Sequence, residues 1–317
     1  MSLRPIPALS RRRLLTGLGA AAGLGLLRPR IAAAADRPKG AVTALTFEFG
    51  GLVLAADGFW MSSDGGATFA FLAALPGSAV TAMATHPERP GLIFAAQAAG
   101  DLIRSDDGGV SWRDAGAGLP QAPTDAVAIA AHDPETIYVA VRGDGLWQSK
   151  DGAKSWEFAM DRPLEDKVEL DVQTLASVGS LSGMGGYWVF AGTEKGVSKV
   201  PDCFCRWSKL ESDGSMDALA SGAKPAAVDP TLRLPHDSVK SLALAPSVPN
   251  VLFAGLPSGI WKSQDTGETW QLVADALSFP SLAVNPRDPN HIVAVSADGT
   301  MLSSRDGGLT WAAPAAA

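Results

Sequence analysis

Short apolar runs, each closed by glycine, proline or an acid, recur along residues 41–311. Val80-Thr81-Ala82-Met83-Ala84, Leu92-Ile93-Phe94-Ala95-Ala96 and Gly100-Asp101-Leu102-Ile103-Arg104 follow one another. The order returns in Val127-Ala128-Ile129-Ala130, Thr136-Ile137-Tyr138-Val139-Ala140 and Gly145-Leu146-Trp147-Gln148. It returns again in Val239-Lys240-Ser241-Leu242-Ala243, Val251-Leu252-Phe253-Ala254-Gly255 and Gly259-Ile260-Trp261-Lys262. Runs this short, rich in β-branched and aromatic residues, predict strands joined by tight turns. Beyond residue 35 no long helical periodicity competes with them.

A polar box follows the third run each time. Ser62-Ser63-Asp64-Gly65-Gly66-Ala67-Thr68-Phe69 recurs at Ser105 to Trp112, Ser149 to Trp156, Ser263 to Trp270 and Ser304 to Trp311. Its aspartates are Asp64, Asp107, Asp151, Asp265 and Asp306. A degenerate sixth copy keeps Asp202 and Trp207 but has Val200, Phe204 and Arg206 where serine, glycine and threonine stand elsewhere. The closing aromatics Phe69, Trp112, Trp156, Trp207, Trp270 and Trp311 are 43, 44, 51, 63 and 41 residues apart. Three runs plus the segment after the box make four strands in about 45 residues, the period of a propeller blade. The expectation is an all-β, six-bladed propeller of four-stranded antiparallel blades over residues 36–317. Seven blades is the alternative, and a loop insertion falls at about 212–237.

The box has a mechanical meaning. An aspartate opening a tight loop accepts bonds from nearby amides, glycines supply positive φ, and the Ser/Thr hydroxyl closes the far end. Read as calcium sites, the boxes offer one or two carboxylates each, against the six to eight oxygens that ion takes. No metal and no cofactor is expected.

The first 35 residues differ from the rest. Ser10-Arg11-Arg12-Arg13-Leu14-Leu15 looks like a twin-arginine export signal, followed by an uncharged stretch to Leu27 and the small residues Ala32 to Ala35. That stretch is shorter than the roughly 20 apolar residues of a membrane span. Cleavage before Asp36 is expected to leave a soluble periplasmic chain with no stable membrane anchor. The whole chain carries 26 basic and 33 acidic residues. Without the six arginines of the leader, 20 bases face 33 acids, a balance that repels phosphate backbones and excludes nucleic acid as a partner.

The boxes resemble the Asp-box, or BNR, repeat of sialidases, two-domain xyloglucanases, sortilin-type receptors and photosystem II assembly/stability factors. The resemblance spans nearly all of 41–311 and implies architecture, since those families share the box and not the chemistry. It implies that the boxes join third and fourth strands, opposite a mouth built by second-to-third-strand and blade-to-blade loops. Those loops gather Arg142, Asp144, Asp161, Arg162, Glu165, Asp166, Glu194, Lys195, His236 and Asp237 beside repeats three to five. By this resemblance the chain is expected to be a non-catalytic binding or assembly scaffold for an exported protein or complex. The alternative is a glycoside hydrolase acting on a glycan through two of Asp144, Asp161, Asp166 and Glu194.

Sialidase chemistry needs an arginine cluster and a tyrosine nucleophile. Tyr138 and Tyr187, the two tyrosines, sit inside apolar runs, so this activity is not expected. Of four histidines, His86, His132 and His291 belong to turns and only His236 lies in the insertion. Cys203-Phe204-Cys205 falls in the degenerate box. It reads as a small disulfide, as a free or redox-active pair, or as part of a soft-metal site whose other ligands no motif supplies.

Overall fold

In a computed structural model the chain is described over residues 38–182, 185–210, 222, 229–275 and 278–315. The expected leader, and the insertion up to residue 228 apart from residue 222, lie outside them. The described chain is all β apart from one short 3-10 turn at Pro230–Leu232. Its strands form six consecutive antiparallel sheets, the blades of a propeller.

Blade 1 comprises β1 (Ala44–Glu48), β2 (Gly51–Ala55), β3 (Phe59–Ser62) and β4 (Ala70–Ala73). Blade 2 comprises β5 (Val80–Thr85), β6 (Ile93–Gln97), β7 (Leu102–Ser105) and β8 (Arg113–Asp114). In blade 3 these are β9 (Thr124–Ala130), β10 (Asp133–Val141), β11 (Gly145–Ser149) and β12 (Glu157–Met160). A separate hairpin, β13 (Leu164–Glu165) and β14 (Val168–Glu169), intervenes. Blade 4 follows with β15 (Thr174–Leu181), β16 (Tyr187–Thr193), β17 (Gly196–Pro201) and β18 (Ser208–Lys209). Blade 5 has β19 (Ser241–Leu244), β20 (Leu252–Leu256), β21 (Gly259–Ser263) and β22 (Gln271–Asp275). Blade 6 has β23 (Ser281–Asn285), β24 (Asp288–Val295) and β25 (Met301–Ser304), and a single Ser303–Ala312 bridge stands where a fourth strand would be.

The first strands β1, β5, β9, β15, β19 and β23 pack side by side around the axis, and β23 returns to β1. Among the described residues no blade borrows a strand from another, so blades 6 and 1 meet through side-chain packing and a side-chain hydrogen bond. Leu45, Leu54, Trp60 and Phe69 of blade 1 meet Ala283, Val293 and Val295 of blade 6, while Ser281 Oγ reaches Thr43 O at 3.3 Å. Among the described residues six apolar clusters occur, one for each interface between neighbouring blades. A strand sandwiched between two blades is covered on both faces. That is why Leu52–Ala55, Ile93–Ala96, Ile137–Val141 and Leu252–Leu256 are unbroken buried runs and not alternating ones.

Successive antiparallel strands fix two faces. The third-to-fourth-strand hairpins and first-to-second-strand turns lie on one face, and the other turns and blade-to-blade links on the opposite one. On the hairpin face, amides of Gly108, Gly152, Thr266 and Gly307 donate at 2.9 to 3.0 Å to carbonyls of Gly91, Glu135, Asn250 and Asn290, tying the hairpins of blades 2, 3, 5 and 6 to the first turns of their blades.

Candidate functional site

On the hairpin face the box aspartates are consumed locally, whereas Glu48, Glu135 and Glu268 are bonded by Gly91, Arg89 and Lys199 of neighbouring blades. Asp107 Oδ1 accepts from Ser105 Oγ at 2.8 Å and from the amides of Val110 and Ser111 at 3.1 and 2.9 Å. Its Oδ2 accepts from Ser111 Oγ at 2.6 Å, and Ser105 Oγ in turn accepts from Gly109 N–H at 2.8 Å. Nearly the same set surrounds Asp64, Asp151, Asp265 and Asp306. Burial pushes the Asp107 carboxyl up, but the bonds from Ser111, Ser105 and Val110 together outweigh it and hold it low. At half-buried Asp306 the Thr310 bonds come first and bring the carboxyl down to about 2. With donors on both oxygens, these groups have little left for an ion. Among the described residues no group of three His, Cys, Asp or Glu is disposed to hold a metal.

The fourth hairpin departs from this set. Asp202 Oδ1 accepts from the Tyr187 amide at 3.0 Å, across the blade, and its Oδ2 lies 3.8 Å from His132 Nε2. Trp207 donates to Asp161 O at 2.7 Å, as Trp156 of the third hairpin does to Ala115 O at 3.0 Å, whereas Trp112, Trp270 and Trp311 donate to glycines of their own hairpins.

The opposite face carries a cavity of about 700 Å³ at the mouth of the ring. It is lined by residues that begin the first strands: Thr43, Val80, Thr81, Asp125, Gln173, Lys240 and Pro280. Arg142 and Glu194 enter it from second-to-third-strand turns, and Glu169 and Asp171 from the β13–β14 hairpin and the segment behind it. Thr43, Gln173 and Lys240 are structural equivalents, each amide bonding at 2.8 to 2.9 Å to the end of the adjoining strand. Farther along the axis, a second cavity of about 190 Å³ lies among Leu45, Met83, Val127, Leu175, Leu242 and Leu282. This second cavity also takes in Glu48, His86, Arg89 and Arg287 toward the hairpin face.

Most charge in the mouth is cross-braced. Arg142 grips Asp125 with both arms, Nε–Oδ2 2.8 Å and Nη2–Oδ1 2.5 Å, and those bonds raise its already high affinity for the proton. Asp171 Oδ1 accepts from Gly143 N–H at 2.9 Å and from Arg162 Nη1 at 3.0 Å, and Arg162 Nη2 reaches Glu169 at 2.5 Å. Gln173 Oε1 accepts from Ser238 Oγ at 2.9 Å. Glu194 and Lys240 differ: both are exposed, and neither side chain has a partner among the described residues.

Of the residues singled out from sequence, the structure brings Arg142 and Glu194 into this cavity and sets Arg162 behind its wall. Asp144 instead accepts from Trp147 Nε1 at 2.6 Å, a turn brace repeated by Asp57 with Trp60 and Ser258 with Trp261. Asp161 is exposed, and its carbonyl serves Trp207. Asp166 is the φ +49° residue of the β13–β14 turn, Glu165 pairs with Lys209 at 2.5 Å, and Asp237 accepts from Ser238 N–H at 2.7 Å. The Lys195 amide donates to Thr193 Oγ1 at 3.2 Å, and exposed His236 lies outside the cavity lining. The proposed quartet of Asp144, Asp161, Asp166 and Glu194 therefore does not converge, because three of the four serve or flank turns. Sequence reasoning missed Glu169, Gln173 and Lys240. The signal was a polar residue just before the first apolar run of a blade.

The β13–β14 hairpin was also missed. Asp166 and Lys167 both sit at positive φ, +49° and +67°, as the tightest two-residue turn requires. Leu164 and Val168 are left exposed at 63% and 53%. The alternation Leu164-Glu165, then Val168-Glu169, around two turn residues was the available sign.

No protein-family model matches this chain, and no curated protein sequence does. Solved structures match by fold. A GH74 enzyme from Niastella koreensis aligns with 89% of this chain and 46% of its own, at 15% identity and a TM-score of 0.58. A COPII outer-coat structure on membranes aligns with 84% of this chain and 70% of its own, at 9% identity and a TM-score of 0.58. YCF48 from Cyanidioschyzon merolae aligns with 88% of this chain and 86% of its own, at 14% identity and a TM-score of 0.48. The chain thus spans less than half the length of the GH74 enzyme. These identities carry the fold alone.

Proposed function

We propose that this protein is an exported, non-catalytic scaffold whose mouth docks a charged segment of another protein. One observation carries the reading. In a cavity whose other charges are cross-braced, Glu194 and Lys240 stay exposed and unpaired, one of each sign. Beside them the β13–β14 hairpin holds Leu164 and Val168 out in solvent on a two-residue turn with no glycine. Apolar anchors next to unpaired charges are what a protein partner uses for affinity and for orientation, respectively. Export through the twin-arginine route, into the periplasm, rests on the motif at Ser10 to Leu15 and the balance of the chain that would remain.

The glycosidase reading has one foothold, four carboxylates around a single cavity: Asp125, Glu169, Asp171 and Glu194. Against it, three of them are bonded to arginine and the lining holds no aromatic platform for a sugar ring. A retaining or inverting mechanism needs two carboxyls free to exchange protons with substrate. The discriminating experiment is crosslinking of the tagged chain in the periplasm, comparing wild type with Glu194→Lys/Lys240→Glu, alongside an assay for oligosaccharide cleavage. A captured protein lost in the double variant supports the scaffold. Cleavage of an oligosaccharide by wild type, lost on Glu194→Gln, would replace it with the enzyme.

A further inference from the structure

The fourth hairpin lacks the hydroxyl-and-glycine lock of the other five, and in its place stand two cysteines. Val200 and Arg206 replace the serine and threonine that elsewhere engage the aspartate, and Asp202 has turned to the Tyr187 amide. Five regular hairpins place two consecutive residues at positive φ, such as Gly108 and Gly109. Here only Phe204 is left-handed, at φ +51°, with its amide bonded to Pro201 O at 2.8 Å. A single left-handed residue turns its two neighbours to the same side. Cys203 Sγ donates to Cys205 Sγ at 3.3 Å, and both cysteines are exposed free thiols.

We infer that Cys203 and Cys205 form a reversible thiol–disulfide exchange site, whose oxidation supplies by covalent bond the closure that hydrogen bonds give the other hairpins. Its co-reactant is a small or protein-borne disulfide, RSSR. One cysteine thiolate attacks RSSR, forming a mixed disulfide and releasing RS⁻. The second cysteine then attacks the mixed bond and releases the second RS⁻. The two cysteines are oxidised, RSSR is reduced to two RSH, and the two protons from the cysteines complete the products. Burial first, and then the bond to Cys205, raise the Cys203 thiol and lower its thiolate fraction, so its part is the second, intramolecular attack, which the 3.3 Å Sγ–Sγ approach favours. The closure reaches the interior: Phe204 packs edge-on to Tyr138 at 5.6 Å, within the cluster that joins blades 3 and 4. A soft-metal site has less to build on, since no third donor joins the pair among the described residues.

The test equilibrates the full chain with glutathione and its disulfide over a range of ratios, traps free thiols with an alkylating agent and reads the intact mass. The expected result is an intramolecular disulfide whose oxidised-to-reduced ratio rises tenfold for each tenfold rise in [GSSG]/[GSH]². Hydrogen exchange then shows slower exchange at residues 201–207 in the oxidised form, with the other five hairpins unchanged. Reduction should lower the melting temperature by about 2–4 °C. Cys203→Ser and Cys205→Ser, both at exposed positions, should each abolish these differences. Full alkylation of both thiols at every ratio, or dimers in place of the internal bond, would overturn the inference. So would oxidation that leaves exchange at residues 201–207 unchanged.

Discussion

The box aspartates and the acids of the mouth are held differently. On the hairpin face an aspartate such as Asp107 meets all its demands within four residues of itself, and nothing beyond the loop is needed. At the mouth, Asp125 is held from 17 residues away and Asp171 from 28 away, while Glu194 is held by nothing described. A locally satisfied carboxylate stiffens a turn whatever surrounds the protein. A carboxylate that depends on distant loops, or on none, has its energy set by what arrives. The difference supports the proposal that the mouth is the working face.

Variants sharpen this contrast in a definite order. The largest loss of stability should come from Arg104→Ala. Arg104 is 8% exposed, lies over Phe94, and crosses from blade 2 to donate to Gly152 O of blade 3 at 2.9 Å. Removing it strands those groups and should cost about 3 kcal/mol, read by chemical denaturation. Next comes Asp107→Ala, which deletes four acceptor bonds in an exposed loop. Water replaces part of them, and about 2 kcal/mol should be lost by the same measurement.

At the mouth, Glu194→Lys and Lys240→Glu should each shift stability by less than about 0.5 kcal/mol. Each should nevertheless cut partner capture by tenfold or more, seen in the yield of crosslinked complex. A fourth test is pH. Burial first, and then nearby Arg305, bring His291 down to about 4 from its ordinary 6.5. The unfolded chain therefore binds the extra proton between those values. Stability is full above about 6.5 and falls as pH drops toward 4, a slope that His291→Gln should flatten. The smallest effect belongs to calcium: millimolar calcium or a chelator should move the melting temperature by less than about 1 °C, since donors already occupy the hairpin aspartates.

Architecture was legible because it repeats. A strand covered on both faces must be apolar throughout, so runs such as Leu92 to Ala96 announce their place in a blade, and a fixed offset from box to aromatic counts the blades. The mouth was legible only in outline. Placing Arg142 and Glu194 in turns needed the strand count alone, and both reach the cavity. Asp144, outside the cavity lining, is instead held by the indole of Trp147, three residues on in the same turn. Arg104, Lys199 and Lys262 gave no sequence signal beyond one basic residue before the box. Each nonetheless lies over an aromatic of its own blade and reaches the hairpin of the next. Bonds between blades depend on the spacing of neighbours around the ring, which no single repeat encodes.

The assignment of the mouth is tested most directly by placing a photo-crosslinking residue at position 194 in one sample and at exposed Val110, on the hairpin face, in another. The account predicts a discrete protein adduct from position 194 that disappears with Lys240→Glu, and none from position 110. Equal adducts from both positions, or an adduct from position 110 alone, would contradict it.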